Sequence, residues 1–395
     1  RKMARHSAIV VISVAALSLS PPLVISAAFT TPLSLTFPHR VIRSSGHFGP
    51  KERAWASPTS EPASLLSAWS DQADVTTAAG DLGEVSLKFY EYDGYRLSYF
   101  HKEASPSHEN DKPLVLIHPV GVGLSSWFWE KFIEEWEGGE LYAPNLIGCG
   151  LENGSDPWNP DERGMHVPLD WARGVEELIR SEVLAPDKQV GGPLSTLRGV
   201  FKGQKARSCV VVVQGGLAPV GVVLASRCQV DVVSDLVLTS PPTWREMITP
   251  VSESEIQQNY DFYCSPILGR LAFAFLESKW AVRTFSNLFL FSDECDDEWV
   301  NAATGDSATP EARPPVILFN SGFMNHRSFQ QDLMELEQRT LVISGFDDAG
   351  REEKRKEYGE MMKDCRLISL PGKNVLPWES PKQMKDILRD FIENS

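Results

Sequence analysis

The chain has 395 residues, of which 42% are hydrophobic and 10% aromatic, enough for a sizeable core and too apolar for a disordered chain. Its net charge of −15, from 38 Lys and Arg against 53 Asp and Glu, argues against a general binder of nucleic acid or anionic membrane, whose phosphates recruit basic surface. Six Cys without a CxxC pair, in a chain this long, do not make a disulfide framework.

The charge is unevenly placed. Residues 1–56 carry seven basic residues and one acid, Glu52, which leaves 31 basic and 52 acidic residues in the remaining 339. This reads as a basic address on an acidic body. Met3 is the expected start, followed by Arg5, the apolar run Ala8–Leu19 and the small residues Ser26-Ala27-Ala28, the order of a signal peptide over 1–28. The run is too short for a transmembrane span, so no stable transmembrane anchor is expected in the mature protein. Residues 29–56 are transit-peptide-like: Phe29–Lys51 is rich in Ser, Thr, Pro and His, includes Arg40 and Arg43, and lacks acids. The pair, with Phe29 at the junction, resembles the bipartite presequences of red-lineage complex plastids such as those of diatoms. That resemblance implies a plastid location, with secretion as the alternative. Residues 57–84, rich in Ser, Ala and Pro, read as a linker.

The body alternates strands and helices. Val85–Tyr92 and Arg96–Phe100 flank Asp93-Gly94 and predict a hairpin. Pro113–His118 is a buried strand, Trp127–Trp136 a helix and Glu140–Leu146 a strand. Pro168–Leu184 has helical spacing, and Pro186–Lys205 is a surface insertion. Cys209–Val213 is a strand ending in Gln214-Gly215-Gly216, followed by a helix from Leu217 to Arg227. Asp235–Thr239 is a strand stopped by Pro241-Pro242. A helical, aromatic-rich stretch covers 244–338. Thr340–Ser344 and Arg366–Leu370 are the last strands, and a helix N-capped by Ser380 closes the chain. Continuous apolar strands between helices imply a mainly parallel sheet covered on both faces, with its chemistry at the carboxyl ends of the strands.

The turns after those strands carry a resemblance. In order they are HPVGVG (118–123), NLIGCG (145–150), VVVVQGG (210–216), LVLTSPP (236–242), LVISGFDD (341–348) and PGKNVLPWESP (371–381). This series resembles the α/β-hydrolase superfamily over residues 85–395, and in particular a cyanobacterial and plastid subgroup of it. The resemblance implies an α/β-hydrolase fold with a helical cap inserted at about 244–338. It also implies a catalytic Ser on a strand-to-helix elbow, then an acid, then a His.

Only one member of that triad is matched. The motif spacing puts Gly216 at the nucleophile, and glycine has no side chain to attack with. The acid position falls on Asp348, beside Asp347. Counting back from Glu379 puts Asn374 at the His, and Asn cannot cycle a proton near neutral pH. The backbone N–H groups of Val120 and Leu217 are the expected oxyanion donors. His118 is a weak candidate base, more often a structural hydrogen-bonder. Cys149, Glu152 and His326 read as packed, solvated and structural residues, and the acidic run Asp293–Glu298 as a solvated helix start. No cofactor or metal motif occurs in the body. The cap aromatics Phe262, Tyr263, Phe273, Phe275, Trp280, Phe285, Phe289 and Phe291 suit ordinary helix packing, or a pocket for a lipid- or pigment-like ligand. The expectation is a plastid member of this fold that lacks nucleophile and base and binds a small apolar molecule or a plastid protein. The alternative is an active hydrolase or lyase working without a triad.

Overall fold

The computed structural model describes residues 85–184, 208–228 and 232–394. The presequence, the linker and the insertion at 186–205 lie outside the described residues.

The described chain opens on the expected hairpin. Strands β1 (Val85–Tyr92) and β2 (Tyr95–Lys102) pair antiparallel, with Tyr92 opposite Tyr95. Asp93 and Gly94 both take positive φ, 53° and 80°, as a two-residue turn matching the strand twist requires. Six further strands follow: β3 (Leu114–Ile117), β4 (Leu141–Pro144), β5 (Cys209–Gln214), β6 (Val233–Thr239), β7 (Arg339–Gly345) and β8 (Cys365–Leu370). The sheet order is β1-β2-β4-β3-β5-β6-β7-β8. β2 runs antiparallel to β4, and every pairing from β4 to β8 is parallel. β3 and β5 are buried at every residue, as strands covered on both faces must be.

Thirteen α-helices accompany these strands among the described residues. α1 (Glu130–Glu135) follows a tight turn at Ser126–Trp129, so the predicted helix over 127–136 is split. α2 (Leu169–Leu178) and α3 (Ala218–Val223) cover the sheet. The stretch between β6 and β7 contains helices and no strand among the described residues: α4 (Trp244–Ile248), α5 (Glu253–Cys264), α6 (Leu268–Leu276), α7 (Lys279–Phe285), α8 (Asp297–Thr304), α9 (Arg313–Ser321) and α10 (Gln330–Glu335). The remaining helices are α11 (Ala349–Met361), α12 (Leu376–Glu379) and α13 (Pro381–Glu393). Side-chain caps set several starts. Thr243 and Glu246 form a reciprocal capping box, and Ser252, Ser278 and Asp296 each accept a first-turn N–H. Ser380 departs from expectation. Its hydroxyl donates to the Pro371 carbonyl at 2.6 Å, fastening the loop before the helix instead of capping α13.

An aromatic cluster joins the inserted helices to the body. Trp127 after β3, Trp299 on α8 and Trp378 on α12 meet edge to face, with ring centroids 5.3–5.6 Å apart. Phe291 packs on Trp299 at 5.1 Å. Such contacts add to area burial through the ring quadrupoles. The insertion is therefore seated on the carboxyl edge of the sheet, where the strand-end turns converge.

Candidate functional site

Five turns meet at that edge. They carry His118 after β3, Gly215 and Gly216 after β5, Ser240 after β6, Asp348 after β7 and Asn374 after β8. Under the inserted helices the turns after β3, β5 and β8 border a cavity of about 70 Å³. Its floor is Val120, Gly215, Gly216 and Asn374, and its walls include Val282, Ser286, Leu290, Trp299 and Phe319. No Asp, Glu, Lys, Arg or His lines it.

The strand-to-helix turn differs from the spacing-based expectation by one residue. Gly215 holds the left-handed conformation, φ 59°, whereas Gly216 does not. The sharp point of the elbow, where this fold strains a nucleophile into the open, is therefore Gly215. The surrounding space agrees. A Cβ on Gly215 would meet nothing within 4 Å, whereas one on Gly216 would lie 2.5 Å from the Phe319 ring. Chemically the outcome is unchanged, because both residues are glycine. The shift does move the donor reasoning: Val120 and Gly216 border the cavity, and Leu217 is not among the lining residues.

His118 is corrected as a base. Its ring is fully buried and both nitrogens are engaged: Nδ1–H donates to the Pro119 carbonyl at 2.8 Å, and Nε2 accepts the Leu146 N–H at 3.1 Å. Burial lowers its pKa to about 4. The imidazole is a neutral clamp between the ends of β3 and β4.

Asp348 is placed after β7 as expected, and its carboxylate is ion-paired. Oδ2 lies 3.1 Å from Nη1 of the buried Arg355, seven residues further along α11. Burial raises the Asp348 carboxyl above its ordinary value, against the opposing pull of Arg355 and Arg351. Arg355 also donates from Nε to the Pro241 carbonyl at 2.6 Å. Asp347 belongs to the loop framework: its N–H donates to Gly372 O, and its carboxylate accepts from Ser292 Oγ.

Asn374 faces the cavity on a fixed backbone. Its N–H donates to Leu290 O at 2.9 Å, and its carbonyl accepts from Gln214 Nε2 at 2.7 Å. Glu379 accepts from the N–H groups of Lys373 and Ser292, so the glutamate that anchors the motif count holds this loop.

The remaining candidates fall into place. Cys149 is buried with its thiol pKa raised by that burial, and it is no nucleophile. Glu152 is corrected: it is half-buried rather than fully solvated, accepts a 2.5 Å hydrogen bond from Ser125, and has its pKa raised by burial. His326 is exposed and bonded to Phe323 O. In the acidic run, Asp296 caps α8 and takes Lys131 at 2.6 Å. None of the eight cap aromatics lines the cavity. Tyr263, Phe273 and Phe291 are core, while Phe262, Trp280 and Phe289 are exposed. The rings that do line it, Trp299 and Phe319, were not singled out from sequence. Gln214 was also missed, although a polar residue ending a run of valines was a readable signal.

No family model and no curated protein matches the chain. Solved structures do resemble it. A serine hydrolase involved in carbazole degradation, the CarC enzyme, aligns at 14% identity with TM-score 0.56, over 79% of this chain and 100% of its own. The epoxide hydrolase CorEH aligns at 17% identity with TM-score 0.55, over 79% and 99%. A mutant haloalkane dehalogenase DatA from Agrobacterium tumefaciens C58 aligns at 16% identity with TM-score 0.53, over 78% and 97%. Identities this low establish a shared fold and nothing finer.

Two predictions follow from the geometry. Above pH 6.5 His118 is neutral folded or unfolded; between 6.5 and about 4 the unfolded chain takes a proton that the folded site resists. Stability from this residue should therefore drain as pH falls through that window, by about 3 kcal/mol at its acid end. Urea melts of wild type and His118→Gln should show a shallower acid slope in the variant; equal slopes would refute the assignment. Separately, Gly216→Ser should cost about 1–3 kcal/mol through overlap with Phe319, and Gly215→Ser about 1–2 kcal/mol through left-handed strain alone. Relief of the first penalty, and not the second, by Phe319→Ala would separate the two causes.

Proposed function

Starting from the α/β-hydrolase fold, we propose that this protein is a non-catalytic binding member of that architecture. The observation that carries the reading is the elbow after β5, where Gly215 holds the left-handed point beside the cavity and, being glycine, offers no side chain to it. Two further features support it. Asn374 occupies the position expected for the general base, and it cannot cycle a proton. Asp348, the acid position, is paired with Arg355. The largely apolar cavity is suited to holding an apolar molecule rather than cutting one. The competing reading, an active hydrolase or lyase without a triad, needs a base. His118, with both nitrogens bonded and its pKa held down to about 4, does not supply one.

The expected outcome with short p-nitrophenyl esters is no turnover above the buffer rate, and no labelling by a serine-directed phosphonate. Gly215→Ser with Asn374→His should remain poor, because Asp348 is engaged by Arg355. Saturable wild-type turnover together with phosphonate labelling would overturn the reading.

We further propose that residues 1–56 address the protein to a plastid, on the strength of their signal-like and transit-like composition. Fused to a fluorescent protein in a diatom, residues 1–56 should deliver it to the plastid, and Phe29→Ala should prevent this. Secretion of the wild-type fusion would refute the assignment.

A further inference from the structure

Size, charge and polarity of the cavity narrow what it can hold. An apolar cavity of about 150 Å³ admits benzene; this one, at about 70 Å³, is half that. A lipid- or pigment-sized molecule does not fit inside it. The size is set largely by Phe319 of α9, whose ring fills the space directly above Gly216. A charged guest is also disfavoured. It would shed its water in a chamber without a counter-charge among the lining residues, and an uncompensated buried charge is costly.

The polar groups at the wall are unequal. Gln214 is consumed at both ends, accepting from Thr239 Oγ1 at 2.6 Å and donating to Asn374 O. Ser286 Oγ accepts the Trp299 indole N–H at 2.8 Å. The Asn374 side-chain amide is different. The residue is 4% exposed and lines the cavity, and its amide has no hydrogen-bond partner among the described residues. Lining the cavity, the amide can offer both a donor and an acceptor to whatever enters it. Its backbone is clamped on both sides by Leu290 and Gln214, so the root of the side chain is fixed at the cavity wall.

We propose that the cavity binds a compact, uncharged molecule of only a few non-hydrogen atoms bearing a carbonyl or hydroxyl, that Asn374 reads this polar group, and that Phe319 sets the size limit. The proposal rests on the binding reading above and makes it specific. The ligand is apolar over most of its surface, matching the Val, Leu, Trp and Phe walls, with one group that exchanges a hydrogen bond with the amide.

The test uses the whole protein and four-heavy-atom probes of matched size, acetone and acetate, with benzene as the oversized one. The readout is the Trp299 indole N–H resonance, assigned by Trp299→Phe. Acetone should shift it saturably, with weak affinity as befits so small a ligand, while acetate and benzene leave it unmoved. Asn374→Leu should weaken acetone roughly fivefold, the worth of one neutral hydrogen bond. Phe319→Ala should make benzene a ligand. Equal responses to acetone and acetate, benzene binding to wild type, or undiminished acetone binding in Asn374→Leu would each overturn the proposal. The wild-type comparison stands even if a variant fails to fold. Ester turnover is a separate readout, so failure of the non-catalytic reading and failure of the ligand class are distinguishable.

Discussion

The carboxamide of Gln214 is the interaction on which the carboxyl edge depends. It sits at the last position of β5, in the middle of the sheet. From there it reaches sideways to Thr239 at the end of β6 and across to the loop after β8. Both partners are buried; the Thr239 hydroxyl can fall back on the Val213 carbonyl, but an apolar side chain at this position would remove the side-chain donor to the Asn374 carbonyl. The bridge also explains why the loop carrying Asn374 lies over the glycine elbow. That loop is bonded to Gln214 on one side, to Leu290 on another and to Glu379 from below. Close packing completes the fixation: a Cβ on Gly345 would lie 2.2 Å from the Lys373 carbonyl, so β7 admits no side chain there.

The architecture was legible in the sequence because it is written in period and punctuation. Val210–Val213 is a continuous apolar run, as a strand covered on both faces must be, and Asp93-Gly94 specifies its own turn. The positions of Asp348 and Asn374 were readable from motif spacing after strands that could themselves be placed. Other features depend on contacts between distant segments. The approach of Phe319 to Gly216 joins residues 103 apart in the chain, and nothing local to either announces it. The elbow was displaced by one residue because φ, rather than residue type, decides which of two adjacent glycines stands at its point. Glu152 was misread because burial and Ser125 are supplied by a different loop.

The groups that would do proton chemistry in this architecture have structural occupations instead. The imidazole of His118 spends both nitrogens on main chain, the carboxylate of Asp348 faces a guanidinium, and the glutamate near the end of the chain ties down N–H groups. None of the three lines the cavity, whose lining residues carry no charged side chain.

Trp299 has a dual position with a consequence for mutation. One part of its surface is cavity wall, and the rest is packed among Trp127, Phe128, Trp378 and Phe291. Its indole N–H is spent on Ser286, which is itself a lining residue. The shape of the cavity and the joint between the inserted helices and the sheet are therefore one packing problem: trimming Trp127 or Trp378, neither of which lines the cavity, would loosen a wall of it, and the two properties cannot be tuned independently.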